Sequence, residues 1–514
     1  MLNNNKRTKH EQSKWWALVA LTLAAVMVGL DMTILNIALP TLSITFDATT
    51  NQLQWFINAY TLALAVFMLP AGLLGDRYGR KKLLISAFIM FAASSLLCAF
   101  ASNTVLFIIG RVLLGIAAAF VITLSTAILP VIFSGGERSK AVAILMIGTM
   151  LSLPIGPLLG GWILDHVWWG WIFLLNVPII ALAGVAVFLF LPESRGEQQS
   201  KVDSVGILLS GVGLFCVSYG TIEAGARGWS NSLALLTLIT GFLLVGFFVL
   251  WQYKTRYPLI DMAIFRIPIF RWSLVLSILV NILLFGMLFI IPLYYQIVIK
   301  TDAFGSGLRL LSLVAGLVVG GIVTEITIAK IGEKKIIVSG FFLIALATIT
   351  GTMTTLESTE WFVWIWLAIF GLGMGMAMPT VMNLALGALL SKQSGIGSSV
   401  IQTGRQVGGA LGVAIFGSIL NSGYRNNLQL EQFPDEIKAV VNDSVAAGVV
   451  VVEKLPLQNL LDNLYQSFMV GMSNVLWICF AIAIFGILVS FICLPASVKE
   501  EKQHVYKGEK SIGR

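Results

Sequence analysis

The chain has 514 residues, a net charge of +8 and a mean hydropathy of +0.90. Hydrophobic residues make up 57% of it and charged residues only 11%. Soluble domains carry roughly a quarter of their residues as charged side chains, so this composition excludes an ordinary soluble protein and predicts a chain embedded in lipid. The positive charge then indicates membrane topology, and no nucleic-acid partner is expected.

Apolar stretches long enough to span a bilayer recur along the whole sequence. A transmembrane helix needs about 20 mostly apolar residues, and short polar or Gly/Pro-rich loops separate stretches of that length. The sequence therefore predicts fourteen spans: 15–38, 53–74, 83–101, 104–128, 140–164, 168–191, 204–224, 232–253, 272–299, 307–329, 335–356, 361–390, 395–421 and 467–494.

Lysine and arginine predict the orientation, because short cytoplasmic loops collect positive charge. Most of the 33 Lys and Arg residues lie in the segment 1–14, in the loops on that same side and in the tail 495–514. Both of these end segments are therefore expected in the cytoplasm, which requires an even number of spans.

A weak internal repeat predicts how the spans are grouped. The segment "GLLGDRYGRKKLLISAF" at 72–88 is echoed 253 residues later by "EITIAKIGEKKIIVSGF" at 325–341. Each copy follows the second span of a six-span block, as in transporters built from repeated bundles. The predicted plan is a six-helix bundle over 15–191, an inserted helix pair over 204–253, a cytoplasmic interfacial linker over 254–271, and a second six-helix bundle over 272–494 with an outer loop over 422–466.

Four segments carry motifs that point to a family. "GLLGDRYGRKK" resembles the loop G-x-x-x-D-R-x-G-R-[RK]-x of the major facilitator superfamily. "PIGPLLGG" at 154–161 resembles its antiporter motif, with Ser152 at the place of the first glycine. "LDMTILNIALP" at 30–40 and "WGWIFLLNVP" at 169–178 resemble the bacterial fourteen-span drug:proton antiporters, although Gly170 stands where that family usually has arginine.

The resemblance covers nearly the whole chain and implies both a fold and a function. The implied fold is an all-α polytopic membrane protein with two six-helix bundles and an inserted pair. The implied function is proton-coupled export of amphipathic, cationic or neutral drugs from the cytoplasm or inner leaflet, across a bacterial plasma membrane. A proton gradient takes the place of a cofactor, the expected partners are substrate, protons and lipid, and a monomer is expected.

Two of the motifs also have a physical interpretation. In the loop after span two, glycines allow a tight turn, and Asp76 can bind a helix N-terminus or pair with a basic residue. This predicts a conformational latch, with a plain topology determinant as the alternative. In span five, small residues allow close helix packing and prolines bend the helix. The resemblance implies that this bend seals the inner halves of the bundle, with ordinary close packing as the alternative. The latch residues are Gly72, Asp76, Arg77, Gly79 and Arg80, and the antiporter-motif residues are Pro154, Gly156, Pro157, Gly160 and Gly161.

Asp31 is an acid inside the first apolar stretch. Such a charge costs about 2.5–3.5 kcal/mol on insertion scales, so it generally faces a cavity or a partner. At 1.5 Å per residue it lies about 24 Å along the span, in the outer half. The pKa of a carboxyl group rises on burial and falls beside a cation, which suits a proton-coupled carrier. The alternative is a structural Asp bonded to nearby backbone or to Asn36.

Other polar residues within spans are further candidates. The resemblance implies a role in proton transfer for Arg111, with or without a direct ion pair to Asp31. Glu223 is either functional or a rim residue, Glu325 is placed to collect cations or protons, and Arg405 anchors structure, binds an anion or positions water. Asp165 and Asp302 are expected to be loop acids. Residues expected to line a pocket are Asn36, Trp55, Asn58, Tyr60, Tyr294, Gln296 and Gln402.

Other kinds of chemistry lack the residues they need. No Walker loop for ATP occurs, and the three histidines lie outside the predicted spans. Neither a metal cluster nor a catalytic triad is expected, and the chain is not expected to be an enzyme. The alternative function is proton-driven export of a physiological lipid, fatty acid or peptide.

Overall fold

The computed structural model of the chain describes residues 2–133, 135–195, 203–389, 394–430 and 458–494, together with the positions 438, 441, 448, 449 and 452. The predicted cytoplasmic tail 495–514 and most of the predicted outer loop 422–466 lie outside the described residues. Of the predicted cytoplasmic segment 1–14, the backbone from residue 2 is described as helix.

The described chain forms fourteen long helices joined by short loops. α6 consists of two segments, Trp171–Leu174 and Asn176–Phe190, and α9 ends in a π-helical turn, Tyr294–Val298. In chain order the helices are α1 (Leu2–Phe46), α2 (Thr50–Tyr78), α3 (Arg80–Ala99), α4 (Thr104–Ile132), α5 (Gly135–His166), α6 (Trp171–Phe190), α7 (Ser204–Arg227), α8 (Ser232–Lys254), α9 (Pro268–Val298), α10 (Ala303–Ile331), α11 (Glu333–Gly351), α12 (Glu360–Gly387), α13 (Ser394–Asn427) and α14 (Gln458–Cys493).

Within the described residues, thirteen helices are long and apolar enough to cross a membrane. The remaining one, α5, covers the predicted fifth span 140–164, and fourteen crossings stay a prediction. Several helices extend well past the predicted spans. α1, for example, continues through Pro40 to Phe46, because the apolar pattern marks only the lipid-facing part of a helix and not its ends.

Polar caps explain where several helices begin. Thr49 and Gln52 form a capping box at the start of α2, and Asn103 accepts a hydrogen bond from Leu106 N at the start of α4. Such side chains satisfy backbone N–H groups that have no partner within the helix. Short loops with well-defined caps therefore fix the order in which neighbouring helices pack.

The helices pack in two similar sets. In the first set, α2 packs on α4, and α1 packs on α5. In the second set the equivalent helices are eight positions later in the chain: α10 packs on α12, and α9 packs on α13. Between the sets, α2 contacts α13 and α5 contacts α10. α7 packs on α2, α8 and α13, so α7 lies beside the first of these two seams.

The two copies of the repeated loop also share local geometry. Gly79 and Gly332 both have positive φ, +111° and +81°, in the turns before α3 and α11. Lys81 Nζ donates to Phe188 O at 2.8 Å, and Lys334 Nζ donates to Leu494 O at 2.8 Å. Each turn is therefore held by a lysine that reaches the end of another helix.

The seam between α5 and α10 is closed at one end. A Cβ at Gly161 would meet backbone atoms of Ala303 and Phe304, so the two backbones touch there. The Asp165 carboxylate accepts hydrogen bonds from Ala303 N at 3.2 Å and Phe304 N at 2.8 Å. Asp302 caps the same helix through Gly305 N at 2.7 Å. Two carboxylates thus stabilise the N-terminus of α10, and one of them comes from α5.

These contacts lie at the end of α5 that the predicted orientation places outside. Residues 154–161 of the antiporter motif lie in the second half of α5, toward these contacts. That the motif seals the inner halves of the bundle stays a prediction. Asp302 lies in the loop before α10, as expected, and caps that helix. Asp165 was expected in a loop, and this expectation is wrong, because Asp165 lies within α5 and accepts hydrogen bonds from the N-terminus of α10.

Asp165→Asn is expected to loosen this end of the seam. It removes the charge that α5 presents to the α10 N-terminus, worth about 1 kcal/mol, or roughly fivefold in the population of the separated state. Spin labels at the exposed positions Val167 and Leu308 should show longer distances more often. Asp302→Asn is the matched control. Asp302 caps the same helix terminus but does not join α5 to α10. An equal increase in the spin-label distances in both variants would contradict this role of Asp165.

Candidate functional site: a buried ion pair

A buried ion pair joins α1 to α4. Arg111 donates through a terminal nitrogen (NH1) to Asp31 Oδ2 at 2.7 Å, and each side chain is 1% exposed. Removing two charges from water costs several kcal/mol per ion, and mutual attraction offsets this only in good geometry. The sequence left a direct ion pair between these residues open, and the structure shows one.

α2 supplies the remaining contacts of the guanidinium group. Arg111 Nε donates to Phe56 O at 2.9 Å, and Arg111 Cζ lies 4.4 Å from the centre of the Tyr60 ring. Tyr60 in turn donates to Val28 O on α1 at 3.4 Å. A ring face and a carbonyl both favour a cation, so Arg111 is held from α2 as well as from Asp31.

Asn176, on α6, is the third side chain at the carboxylate. Its Nδ2 donates to Asp31 Oδ1 at 3.2 Å and to Ser95 Oγ on α3 at 3.2 Å. Asn176 is fully buried, and its Oδ1 has no hydrogen-bond partner among the described residues. The Asn176 amide therefore donates to both acceptors and joins α6 to α1 and to α3.

Sequence reasoning missed Asn176 and Ser95 as site residues. The available signal was an amide two residues before Pro178 in the otherwise apolar segment 169–178. The alternative prediction, that Asp31 is bonded to Asn36, is wrong, because Asn36 Nδ2 donates to Met32 O of its own helix. Asp31 is bonded instead to side chains from α4 and α6.

The antiporter motif lies directly against the turn of α1 that carries Asp31. A Cβ at Gly156 would meet Thr33, and one at Gly160 would meet Ile34. Thr33 Oγ1 also donates to Ser152 O at 3.2 Å. A shift of α5 along this contact must therefore move the part of α1 that holds the carboxylate. Pro157 contacts α10, since a Cβ at Gly307 would meet its carbonyl group, and the side chain of Pro154 lies outside the described residues.

The predicted latch loop binds other parts of the same bundle. Arg80 pairs with Asp76 at 2.8 Å and donates to Ala127 O on α4 at 3.0 Å. The acid at the α3 N-terminus is Glu193, which accepts from Lys81 N at 3.0 Å and Lys82 N at 3.2 Å. Sequence reasoning missed Glu193, whose only signal was an acid just after span six. Gly72 faces the Thr123 methyl group, and Arg77 lies over the exposed Tyr78 ring.

The other predicted site residues lie apart from the ion pair. Glu223 pairs with Arg227 of its own helix at 2.7 Å, and Glu325 is exposed on α10. Arg405 is bonded to Gln402 on α13 at 2.8 Å. Of the predicted pocket residues, Tyr60 lies at the ion pair. Trp55 packs on Phe215 of α7, and Gln296 donates to Ile37 O. Asn58 and Tyr294 carry buried polar atoms without a partner among the described residues.

Together these features describe a polytopic, all-helical membrane transporter, and comparison with known proteins identifies its family. A family model for the Major Facilitator Superfamily matches residues 21–413. The chain belongs to the Major Facilitator Superfamily, as the sequence motifs predicted. The predicted all-α fold class is confirmed, and the chain is a membrane transporter of small molecules and not an enzyme.

Curated relatives carry names that refer to drug resistance and export. The chain is 32% identical to the tetracenomycin C resistance and export protein of Streptomyces glaucescens, over 79% of this chain and 76% of the relative. It is 28% identical to the methyl viologen resistance protein SmvA of Salmonella typhimurium, over 81% and 84%. It is 30% identical to the multidrug resistance protein B homolog of Mycobacterium tuberculosis, over 77% and 74%.

Solved structures share the fold at low sequence identity. One is a bacterial homolog of the human lysosomal transporter Spinster, inward-facing and unoccupied, with a TM-score of 0.68 and 16% identity over 94% of this chain and 98% of the other. Another is the xylose transporter XylE from E. coli, partially occluded and inward open, with a TM-score of 0.60 and 13% identity over 94% and 98%.

Asn176→Leu is expected to destabilise the protein. It removes a hydrogen bond to a charged group, worth about 1.5–3 kcal/mol, and leaves the carboxylate with Arg111 alone. Thermal unfolding in detergent should show a clearly lower Tm. Asn281→Leu is the matched control, because among the described residues this buried amide donates to Ser277 O of its own helix. An equal decrease in Tm in the two variants would show that the contact with Asp31 contributes no more stability than a hydrogen bond within one helix.

Proposed function

We propose that the chain is a proton-coupled antiporter that exports amphipathic drugs, cationic or neutral, from the cytoplasm or inner leaflet by alternating access. The observation that carries this proposal is the buried Asp31–Arg111 pair. The names of the relatives, which refer to resistance and export, support the drug class. The proposed location is a bacterial plasma membrane with both end segments in the cytoplasm.

Protonation of Asp31 provides the coupling step. A proton on the carboxylate removes the counter-charge of Arg111 in a site without water access. Breaking a buried pair by removing one charge costs about 3–5 kcal/mol. The helix arrangement described above is then no longer favoured, and a rearrangement that brings water or a new partner to Arg111 becomes favourable.

The contacts around Asp31 connect this step to the two halves. α1 touches α5 through Thr33 and Gly156, and α5 touches α10 through Gly161 and Asp165. Movement at the carboxylate therefore reaches the closed end of the α5–α10 seam through two direct helix contacts. Loss of the Asp165 cap would open that end and release bound substrate to the outside.

Substrate and proton use the same carboxylate in this proposal. A cationic drug competes with Arg111 for the ionised Asp31, and a proton displaces both. A neutral drug needs no counter-charge and binds to apolar and aromatic surface, for which Tyr294 and Tyr295, adjacent on α9, are candidates. Coupling then follows because proton binding and substrate binding exclude each other: the Asp31 carboxylate is protonated in the state that releases substrate.

A second candidate is proton-driven export of a physiological lipid, fatty acid or peptide. One observation favours it, namely that Arg405 has no counter-charge among the described residues. A substrate with an acidic group would supply one.

Asp31→Asn is expected to abolish gradient-driven efflux while leaving the protein in the membrane. The amide keeps the shape of the side chain but cannot carry the negative charge or exchange a proton. Dye or drug movement in liposomes with an imposed pH gradient measures this. Glu357→Gln, at an exposed loop acid, is the control and should transport normally; normal coupled transport by Asp31→Asn would refute the assignment.

A double variant separates coupling from simple structural support. Arg111→Gln alone leaves a buried carboxylate unpaired and should lower the Tm strongly. Asp31→Asn combined with Arg111→Gln removes both charges and should recover most of that stability, yet remain inactive in coupled transport. Recovery of coupled transport together with stability would show that the pair only holds the fold.

A further inference from the structure

We propose that Arg405, with Gln402 and Gln406, forms a subsite on α13 for the oxyanion of an amphipathic substrate, a carboxylate or a phosphate. The inference rests on the proposed transport function and specifies the substrate class for its second candidate. It assigns the anionic head of the substrate to the C-terminal set of helices, away from Asp31.

Arg405 is a cation without a counter-charge in the described part of the chain. Among the described residues, its one hydrogen bond joins a terminal guanidinium nitrogen to Gln402 Oε1 at 2.8 Å. Its Nε is buried and has no partner, and no described carboxylate lies within ion-pair distance. Arg111, by contrast, has a carboxylate, a carbonyl and a ring face. A charge within a membrane span that has no counter-charge is costly, so a ligand that pairs with Arg405 gains binding energy.

The helix geometry places this group on the flank of α13 that runs from its contacts with α9 toward its contact with α2. On α13, Gly404, Gly408 and Gly412 contact α9. Gly417 faces Gln54 of α2, and Ser418 faces Gly225 of α7. One turn after Arg405, Gly409 faces Phe285 of α9. With 3.6 residues per turn, Arg405 and Gln402 lie on either side of this contact, and Gln402 lies nearer the α2-facing side. Arg405 is partly exposed there, so a ligand can reach it.

The chemistry of the cluster matches an oxyanion. A guanidinium group presents a planar fork of donors that pairs with carboxylate or phosphate through two parallel hydrogen bonds. Gln402 occupies only one of those donors, and Gln406 Oε1 is buried without a partner among the described residues. Rotation of the Gln406 amide would present its NH2 group to the same anion.

The charge balance of the other intramembrane groups supports the same conclusion. Asp31 is neutralised by Arg111, and Glu223 by Arg227. Glu325 is exposed on α10. Arg405 therefore adds an uncompensated positive charge to its surroundings, which repels a permanent cation and attracts an acidic head group.

Binding to the purified full chain, without any gradient, tests the subsite. The probes share one alkyl chain: dodecanoate, dodecyl phosphate and dodecyltrimethylammonium, titrated against wild type in phosphatidylcholine nanodiscs with tryptophan fluorescence as the readout. We expect at least one anion to bind wild type tenfold or more tightly than the cation. Tighter binding of dodecanoate indicates a fatty-acid-like substrate, and tighter binding of dodecyl phosphate indicates a phospholipid-like one.

Variants then locate the site. Arg405→Gln should weaken anion binding at least tenfold and leave the cation unaffected. Arg405→Lys keeps the charge but loses the planar fork, so its anion affinity should fall between those of wild type and Arg405→Gln. Arg309→Gln is the matched control, because Arg309 is already compensated by Glu360 at 2.7 Å, and it should bind anions like wild type.

Two results would overturn the subsite: unchanged anion affinity in Arg405→Gln, or wild type that binds the cation as tightly as both anions. The second result is measured on wild type alone, so it tests the subsite even if Arg405→Gln fails to fold. Failure of the proposed function is distinguishable, since gradient-independent transport by wild type would reject proton coupling while leaving the binding result intact.

Discussion

One constraint governs the N-terminal half of the molecule: a carboxylate and a guanidinium group are held together where water does not reach them. Neither charge is tolerable there without the other, so Asp31 and Arg111 fix α1 against α4, while Phe56, Tyr60 and Asn176 bring α2 and α6 to the same point. The glycines of α5 pack against the adjacent turn of α1. In our proposal a proton on Asp31 removes the charge pairing at the point where these five helices meet. A carrier can use such a site to couple proton binding to a conformational change.

The two halves share their packing but differ in charge. Equivalent helix pairs make equivalent contacts, and the repeated turns at Gly79 and Gly332 are each held by a lysine. Yet the charge of the first half is internally compensated, whereas Arg405 on α13 has no described counter-charge. In our proposals the N-terminal half therefore responds to protons and cations at Asp31, and the C-terminal half binds an anionic head group at Arg405.

The sequence was sufficient for the fold class and the family, because these depend on composition, apolar length and motifs. It also singled out Asp31 as a charge within a span, and its functional role stays a prediction. The partner of Asp31 stayed open, since sequence gives the depth of Arg111 along its own helix but not the relative shift of α1 and α4. Asn176, Ser95 and Glu193 were missed because their roles arise from contacts between distant segments. Asp165 resembled a loop acid, and only the meeting of α5 with α10 makes it a helix cap. Helix ends were misplaced where helices continue beyond lipid, as α1 does to Phe46.

The most direct test of the central claim is infrared difference spectroscopy of the reconstituted protein, with Asp31→Asn as the reference. The account predicts a carboxylic acid C=O band that appears as the pH falls, is absent in Asp31→Asn, and disappears when a transported drug is added at constant pH. A carboxylate signal at Asp31 that stays unchanged across the working pH range, with and without drug, would contradict proton exchange at the buried pair.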